Sequence, residues 1–170
     1  IGSQSALIRK PIYRLNNQFW PDRDLMLKEA TSLNDNLDVW DDEIEKASIK
    51  SIPLDEGNTP YLKQMFEGFT EMYGDFGKTH ANYFFIEPDW TYDWHVDTHI
   101  SKKMTGSYVL CAMNIVLTDD QMPAEFDAPW GEQQYTACMF NTSVLHRVQT
   151  CGKLRVLARL TFRDCIFEEI

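Results

Sequence analysis

The sequence predicts a mainly β protein with N-terminal helices, folded as an antiparallel β-barrel of jelly-roll character. Three observations lead there. Aromatic residues make up 13% of the 170-residue chain, with ten Phe, seven Tyr and five Trp, a composition that suits a β-rich interior. From Ala81 onward, short apolar runs alternate with turn clusters at regular spacing, as in a sandwich or barrel and unlike βαβ units. Between residues 22 and 80 the chain reads as helical instead, with apolar residues at helical spacing.

The first helix is expected after Pro21, with Asp22 or Asp24 near its N-terminus, where a carboxylate satisfies free backbone amides. Leu25, Met26, Leu27 and Ala30 give it a partial apolar face. A second helix opens at Thr59-Pro60, Pro being well suited to the first helical position. Its stripe of Leu62, Met65, Phe66, Phe69, Met72 and Tyr73 reads as core, and Gly74 and Gly77 end it. Strands are expected over residues 82–86, 108–117, 135–140, 144–148 and 154–162. Turn clusters divide them, among them Glu87-Pro-Asp89, Thr118-Asp-Asp120 and Cys151-Gly-Lys153. No repeat, low-complexity tract or linker interrupts the chain. One domain over residues 1–170 is therefore expected, with about 1–80 as a helical buttress and about 81–165 as the β-barrel core.

The formal net charge of -10 argues against nucleic acid as a partner, because phosphate binding needs clustered Lys and Arg. A local basic patch around Lys102, Lys103, Arg147 and Lys153 stays open as an exception. Apolar stretches reach only about ten residues, short of the roughly 20 that a membrane helix requires, so no membrane association is expected. No charged n-region followed by an apolar stretch opens the sequence as a secretory signal does. Cys111, Cys138, Cys151 and Cys165 form no CxxC pair and no disulfide framework, which fits a reducing, cytoplasmic compartment. Nothing in the sequence sets an oligomeric state.

Histidine is scarce, and His80, His95, His99 and His146 are the whole supply. In Trp94-His-Val-Asp97, His95 and Asp97 stand two apart, so on a strand both side chains leave one face. His146 falls on a later expected strand that can bring a third ligand across the barrel. Two His and one carboxylate on one face of an octahedron form the donor set of non-haem Fe(II) oxygenases. A His-x-Asp pair alone is often an accident of composition, and a hydrogen-bonded His95 on a barrel rim is the plain alternative. Arg155 and Arg159 add weight, because they interrupt the apolar run Leu154–Phe162 and share one face with residues 157 and 161. Turned into a barrel, two guanidinium groups need anionic partners, and a dicarboxylate co-substrate supplies them through bidentate contact. Turned outward, they are merely solvated.

His95-Val-Asp97, followed by His146-Arg-Val-Gln149 and by Arg155 nine residues beyond His146, resembles the 2-oxoglutarate/Fe(II)-dependent oxygenase superfamily. Within it the pattern is most similar to the prolyl-4-hydroxylase-like branch, over roughly residues 81–163. The resemblance implies a double-stranded β-helix, that is, a jelly-roll, cupin-like barrel. It implies Fe(II) on His95, Asp97 and His146, and 2-oxoglutarate chelating that iron with its far carboxylate on Arg155. Tyr92, Tyr83 and Asn114 are the residues expected to add hydrogen bonds to the co-substrate. With O2 as the other co-substrate, the implied activity is a dioxygenase that hydroxylates a peptide or protein side chain or a small metabolite, releasing succinate and CO2. The acidic charge favours a peptide, a protein side chain or a cationic metabolite.

Arg159, His99 and Trp94 are expected close by, facing substrate or supporting the ligands. Trp90, Trp94 and Trp130 are read either as pocket wall or as core. The chain departs from the family in lacking a Gly-Gly-x-Leu stretch, in whose place stands Pro123-Ala-Glu-Phe126. Asp at position 97 disfavours the halide-binding version of the site. Two other readings stay open on the residues. One is a cupin-type metalloenzyme that recruits His99 and uses no 2-oxoglutarate. The other is a non-catalytic β-barrel binding module.

Overall fold

In the computed structural model, which describes residues 10–35, 49–76, 79–88, 92–96, 109–118, 122–148 and 152–163, strands dominate and two helices lie on one side of them. The order is β1 (Ile12–Arg14), α1 (Arg23–Asn34), β2 (Ile49–Pro53), α2 (Pro60–Tyr73), β3 (Thr79–Ile86) and β4 (Tyr92–His95). It continues with β5 (Val109–Val116), β6 (Met122–Phe126), β7 (Gly131–Tyr135), β8 (Ala137–Phe140), β9 (His146–Val148) and β10 (Arg155–Arg163). Six strands form one antiparallel sheet in the order β1-β8-β5-β10-β3-β2, and four form another in the order β4-β9-β6-β7.

Side-chain alternation on the six-stranded sheet builds two cores. Val156, Ala158, Leu160 and Phe162 of β10 join Met113 and Ile115 of β5 beneath Met26 and Ala30 of α1 and Leu62, Met65 and Phe69 of α2. Leu157 leaves the opposite face and meets Val116, Phe140 and Ile86, together with Phe126, Tyr135 and Val148 of the smaller sheet. The layers are therefore helices, large sheet, small sheet, and any site between the sheets is lined by the odd-numbered residues of β10.

Both helix starts follow their sequence signals. Asp22 accepts the Asp24 amide at 2.8 Å, as an N-cap carboxylate should. Thr59 precedes Pro60, but its side chain makes no cap bond to the helix and instead bonds the backbone of Asp55. The missing cap comes from α1. Glu29 accepts the amides of Tyr61 at 3.0 Å and Leu62 at 3.2 Å, and the hydroxyl of Tyr83 at 2.7 Å. One carboxylate thus serves the positive end of α2 and ties both helices to β3. The apolar stripe of α2 buries Leu62, Met65 and Phe69, while Met72 and Tyr73 stand largely exposed in the last turn. Gly74, at φ 99°, ends the helix with its amide on Thr70 O at 2.8 Å.

The structure corrects the sequence reading in three places. Residues 22–80 are not uniformly helical, because Ile49–Pro53 pairs with β3 as an edge strand, a position that tolerates Pro53. Residues 135–140 are not one strand, since a bend at Thr136 carries the chain from the small sheet (β7) to the large one (β8). Polar Gly131-Glu-Gln-Gln-Tyr135 is itself a strand at the edge of the small sheet, where low burial removes the apolar signal. Among the described residues no helix is long and apolar enough to cross a membrane.

Gly68 tests the contact between α2 and the segment before α1. A Cβ there would lie 2.3 Å from the backbone oxygen of Phe19. Helix propensity alone would make Gly68→Ala stabilising. We expect the opposite sign, a loss of about 1–3 kcal/mol in urea unfolding, because backbone must shift to admit the methyl group. An unchanged or raised midpoint would show that the contact is looser than described.

Candidate metal and co-substrate site

His95 ends β4 and His146 begins β9, and their Cα atoms are direct partners across the small sheet. Their rings come within 4.4 Å, centroid to centroid, at an interplanar angle of 55°. Each Nδ1 lies against a carbonyl two residues back, His95 on Asp93 O at 2.6 Å and His146 on Val144 O at 2.7 Å. A carbonyl only accepts, so both Nδ1 atoms carry a proton, and in the neutral ring Nε2 keeps the lone pair. That tautomer, fixed by a backbone acceptor, is how metal-ligating imidazoles are held.

The turn before His146 is itself anchored. Asn141 is fully buried, its amide donates to Pro11 O, its side chain donates to Lys10 O, and its Oδ1 accepts the Ser143 hydroxyl at 2.6 Å. Phe140 and Phe126 pack on the His146 ring at 4.9 and 6.1 Å, and His146 is 3% exposed. His95 is more open than His146. Asp97 and His99 lie outside the described residues, as does Trp90. β4 ends at His95, so a shared strand for His95 and Asp97 does not extend across the described residues. Among those residues no group of three metal-ligating side chains occurs.

The large sheet supplies the opposite wall. Arg155 alternates with Leu157 and is 3% exposed, which places its guanidinium between the sheets and excludes the solvated alternative. Arg159 follows on the same face, beside Asn114 in register, with its guanidinium 5.5 Å from the centre of the Phe84 ring. Asn114 points inward as well. Its Nδ2 donates to the Tyr135 hydroxyl at 3.1 Å, and its Oδ1 is buried and receives no hydrogen bond from a described residue. Burial chiefly, and the Cys138 thiol beside it, push the Tyr135 hydroxyl well above its ordinary value, so it stays a donor at neutral pH. Cys138 is likewise pushed up by burial and remains a thiol.

Two expected contributors stand elsewhere. Tyr83 faces the helices, not the interior, and donates to Glu29. Trp94 is 39% exposed and leans on Arg147 with 4.8 Å between guanidinium carbon and ring centre, so it is neither core nor inner wall. Tyr92 begins β4 opposite Val148. Trp130 packs partly buried at the inter-sheet core. Sequence reading missed Tyr135, whose hydroxyl enters the interior because the chain bends immediately after it. A buried Tyr followed by a strand break was the available signal.

No protein-family model matches the sequence, and no curated protein matches it. Solved structures do. A prolyl-4-hydroxylase from Pseudomonas putida matches 94% of this chain and 95% of its own, with TM-score 0.61 and 15% identity. A prolyl hydroxylase from Trichoplax adhaerens, solved in complex with a hypoxia inducible factor oxygen degradation domain peptide fragment, matches 94% and 86%, with TM-score 0.66 and 11% identity. A viral collagen prolyl hydroxylase from Paramecium bursaria Chlorella virus-1 matches 92% and 97%, with TM-score 0.58 and 10% identity. The chain therefore has the fold of prolyl-4-hydroxylase-like 2-oxoglutarate oxygenase structures.

The two buried phenols give the fold an alkaline limit. Tyr83 and Tyr135 both titrate above the ordinary value of 10.0, through burial and, for Tyr83, the Glu29 hydrogen bond. The unfolded chain releases these protons first, so stability is fully present below about pH 10 and falls as pH rises beyond it. Tyr135→Phe should flatten the fall between roughly pH 10 and 11.5 in urea titrations. An unchanged slope would remove Tyr135 as its source.

Proposed function

We propose that the chain is an Fe(II)- and 2-oxoglutarate-dependent dioxygenase, with its two sheets forming a double-stranded β-helix of jelly-roll type. Residues 1–170 would form one domain, about 1–80 buttressing a barrel of about 81–165. The observation that carries the reading is the His95–His146 pair at 4.4 Å, each ring held by Nδ1 so that Nε2 is offered, in an interior that also buries Arg155.

His95 and His146, with Asp97, would hold the metal, since two neutral imidazoles and a carboxylate suit Fe(II) and leave positions open. Bound there with 2-oxoglutarate and O2, Fe(II) supplies the oxidising chemistry that hydroxylates a C–H bond, with succinate and CO2 as co-products. The chain's own work is to orient and shield. Asp93 O and Val144 O fix the imidazole tautomers. Arg155 pairs with the far carboxylate of 2-oxoglutarate, which compensates its own burial. Asn114, Tyr135 and Arg159 line the same interior, and Tyr92 begins the strand that ends in His95. Phe126 and Phe140 keep water from His146.

The substrate class follows from charge. A net charge of -10 favours a peptide, a protein side chain or a small cationic metabolite over nucleic acid. The Trichoplax neighbour, solved with a peptide fragment, supports the peptide option. Cys111 and Cys138 are buried free thiols, in keeping with a cytoplasmic setting.

Anaerobic addition of Fe(II) and then 2-oxoglutarate to metal-free protein should give a weak visible charge-transfer band. His146→Ala should abolish it, and Arg155→Ala should raise the 2-oxoglutarate concentration needed by about a hundredfold, as loss of one partner of a buried ion pair does. Fe(II) binding without a band would favour a cupin-type metalloenzyme. Binding of neither would leave a β-barrel binding module.

A further inference from the structure

Behind the two imidazoles, on the outer face of the small sheet, three side chains from three strands join in a row. Glu125 of β6 and Arg147 of β9 are Cα partners, as are Phe126 and His146 one residue further along. Both Nε and Nη2 of Arg147 reach Glu125 Oε2, each at 2.7 Å. The other side of the guanidinium lies over Trp94 of β4 at 4.8 Å. The row Glu125–Arg147–Trp94 therefore backs the inner row Phe126–His146–His95, one residue out of step and on the opposite face.

β4 needs such a fastening. It is a four-residue edge strand with β9 as its neighbour in the sheet. Its pairing jumps from Tyr92↔Val148 to His95↔His146, so three steps on β4 oppose two on β9. That irregularity interrupts the ladder immediately before His95. Trp94 sits within it, and its contact with Arg147 spans the interruption from side chain to side chain. Arg147 cannot swing away with the ring, because Glu125 holds it from the far side.

We infer that Trp94 and Arg147 are positioning residues, which with Glu125 hold β4 on β9 and so set His95 against His146 for metal binding. The inference rests on the metal-site reading above. It assigns Trp94 a role at the back of the site, away from substrate, and gives Arg147 a role that its charge alone does not suggest.

The test uses Co(II) as a spectroscopic probe on the full chain, beside thermal melting of the metal-free protein. Arg147→Met keeps the aliphatic stem and loses the fork. It should weaken Co(II) binding about tenfold and alter the visible Co(II) spectrum, while the metal-free melting temperature moves little. Trp94→Leu should do the same, and the double variant should be no worse than either alone, since each breaks one row. Arg147→Lys, which keeps a cation over the ring, should recover part of the affinity. Wild-type affinity and spectrum in both single variants, with Co(II) bound normally by the wild type, would overturn the inference and leave the metal site standing. Failure of the wild type to bind Co(II) or Fe(II) would overturn the metal site, and this role with it.

Discussion

The period-two alternation of β10 is the constraint on which the architecture turns. This strand lies between β5 and β3 in the larger sheet, so its two faces meet two different worlds. Val156, Ala158, Leu160 and Phe162 belong to the helix-side core, and Arg155, Leu157 and Arg159 look toward the smaller sheet. A slip of one residue would drive both guanidinium groups to the helix side, among Phe69 and Met65, where the Glu29 carboxylate is already engaged by Tyr61, Leu62 and Tyr83 and burial would cost several kcal/mol. Register is thus fixed by charge as firmly as by hydrophobicity. The same fact that turns Arg155 and Arg159 toward the smaller sheet also fixes which apolar residues receive the helices.

Against that wall the smaller sheet presents the imidazole pair. Its strands are short, and one edge strand carries the more exposed histidine. The two sheets differ in kind: a long, apolar strand carries the buried cation, and short, irregular ones carry the imidazole pair. Irregular backbone is expected where side chains must be aimed rather than packed. Asn141, buried at the passage from one sheet to the other, links the two parts by bonding the chain just before β1.

How much of this was legible in the sequence depended on contrast. Arg155 stood out because a charge in an apolar strand must be explained, whereas Asn114 was named only through the family resemblance. Tyr83 was misassigned because Asn82-Tyr-Phe-Phe-Ile86 is apolar on both faces, one under the helices and one toward the small sheet, so alternation carried no information on which way the phenol pointed. The row of Trp94, Arg147 and Glu125 was invisible for another reason. It exists only through the adjacency of β4, β9 and β6, and strand order in a sheet is set by tertiary packing rather than by any local pattern. Helix starts were read from local signals, the Asp22 cap of α1 and Pro60 at the start of α2, but the Glu29 carboxylate that serves α2 comes from a distant helix and was not. The strand at 49–53 was lost because edge strands bury little.

The carboxylate of Glu29 has a consequence for how the molecule comes apart. It reaches 32 residues forward to α2 and 54 residues forward to β3, and all three bonds meet on a single side chain. α1 cannot peel from the sheet without stripping the start of α2 of its acceptor and leaving the buried Tyr83 hydroxyl without this partner. Loosening α1 therefore unties α2 and β3 at the same point, which couples the helical layer to the sheet through one side chain.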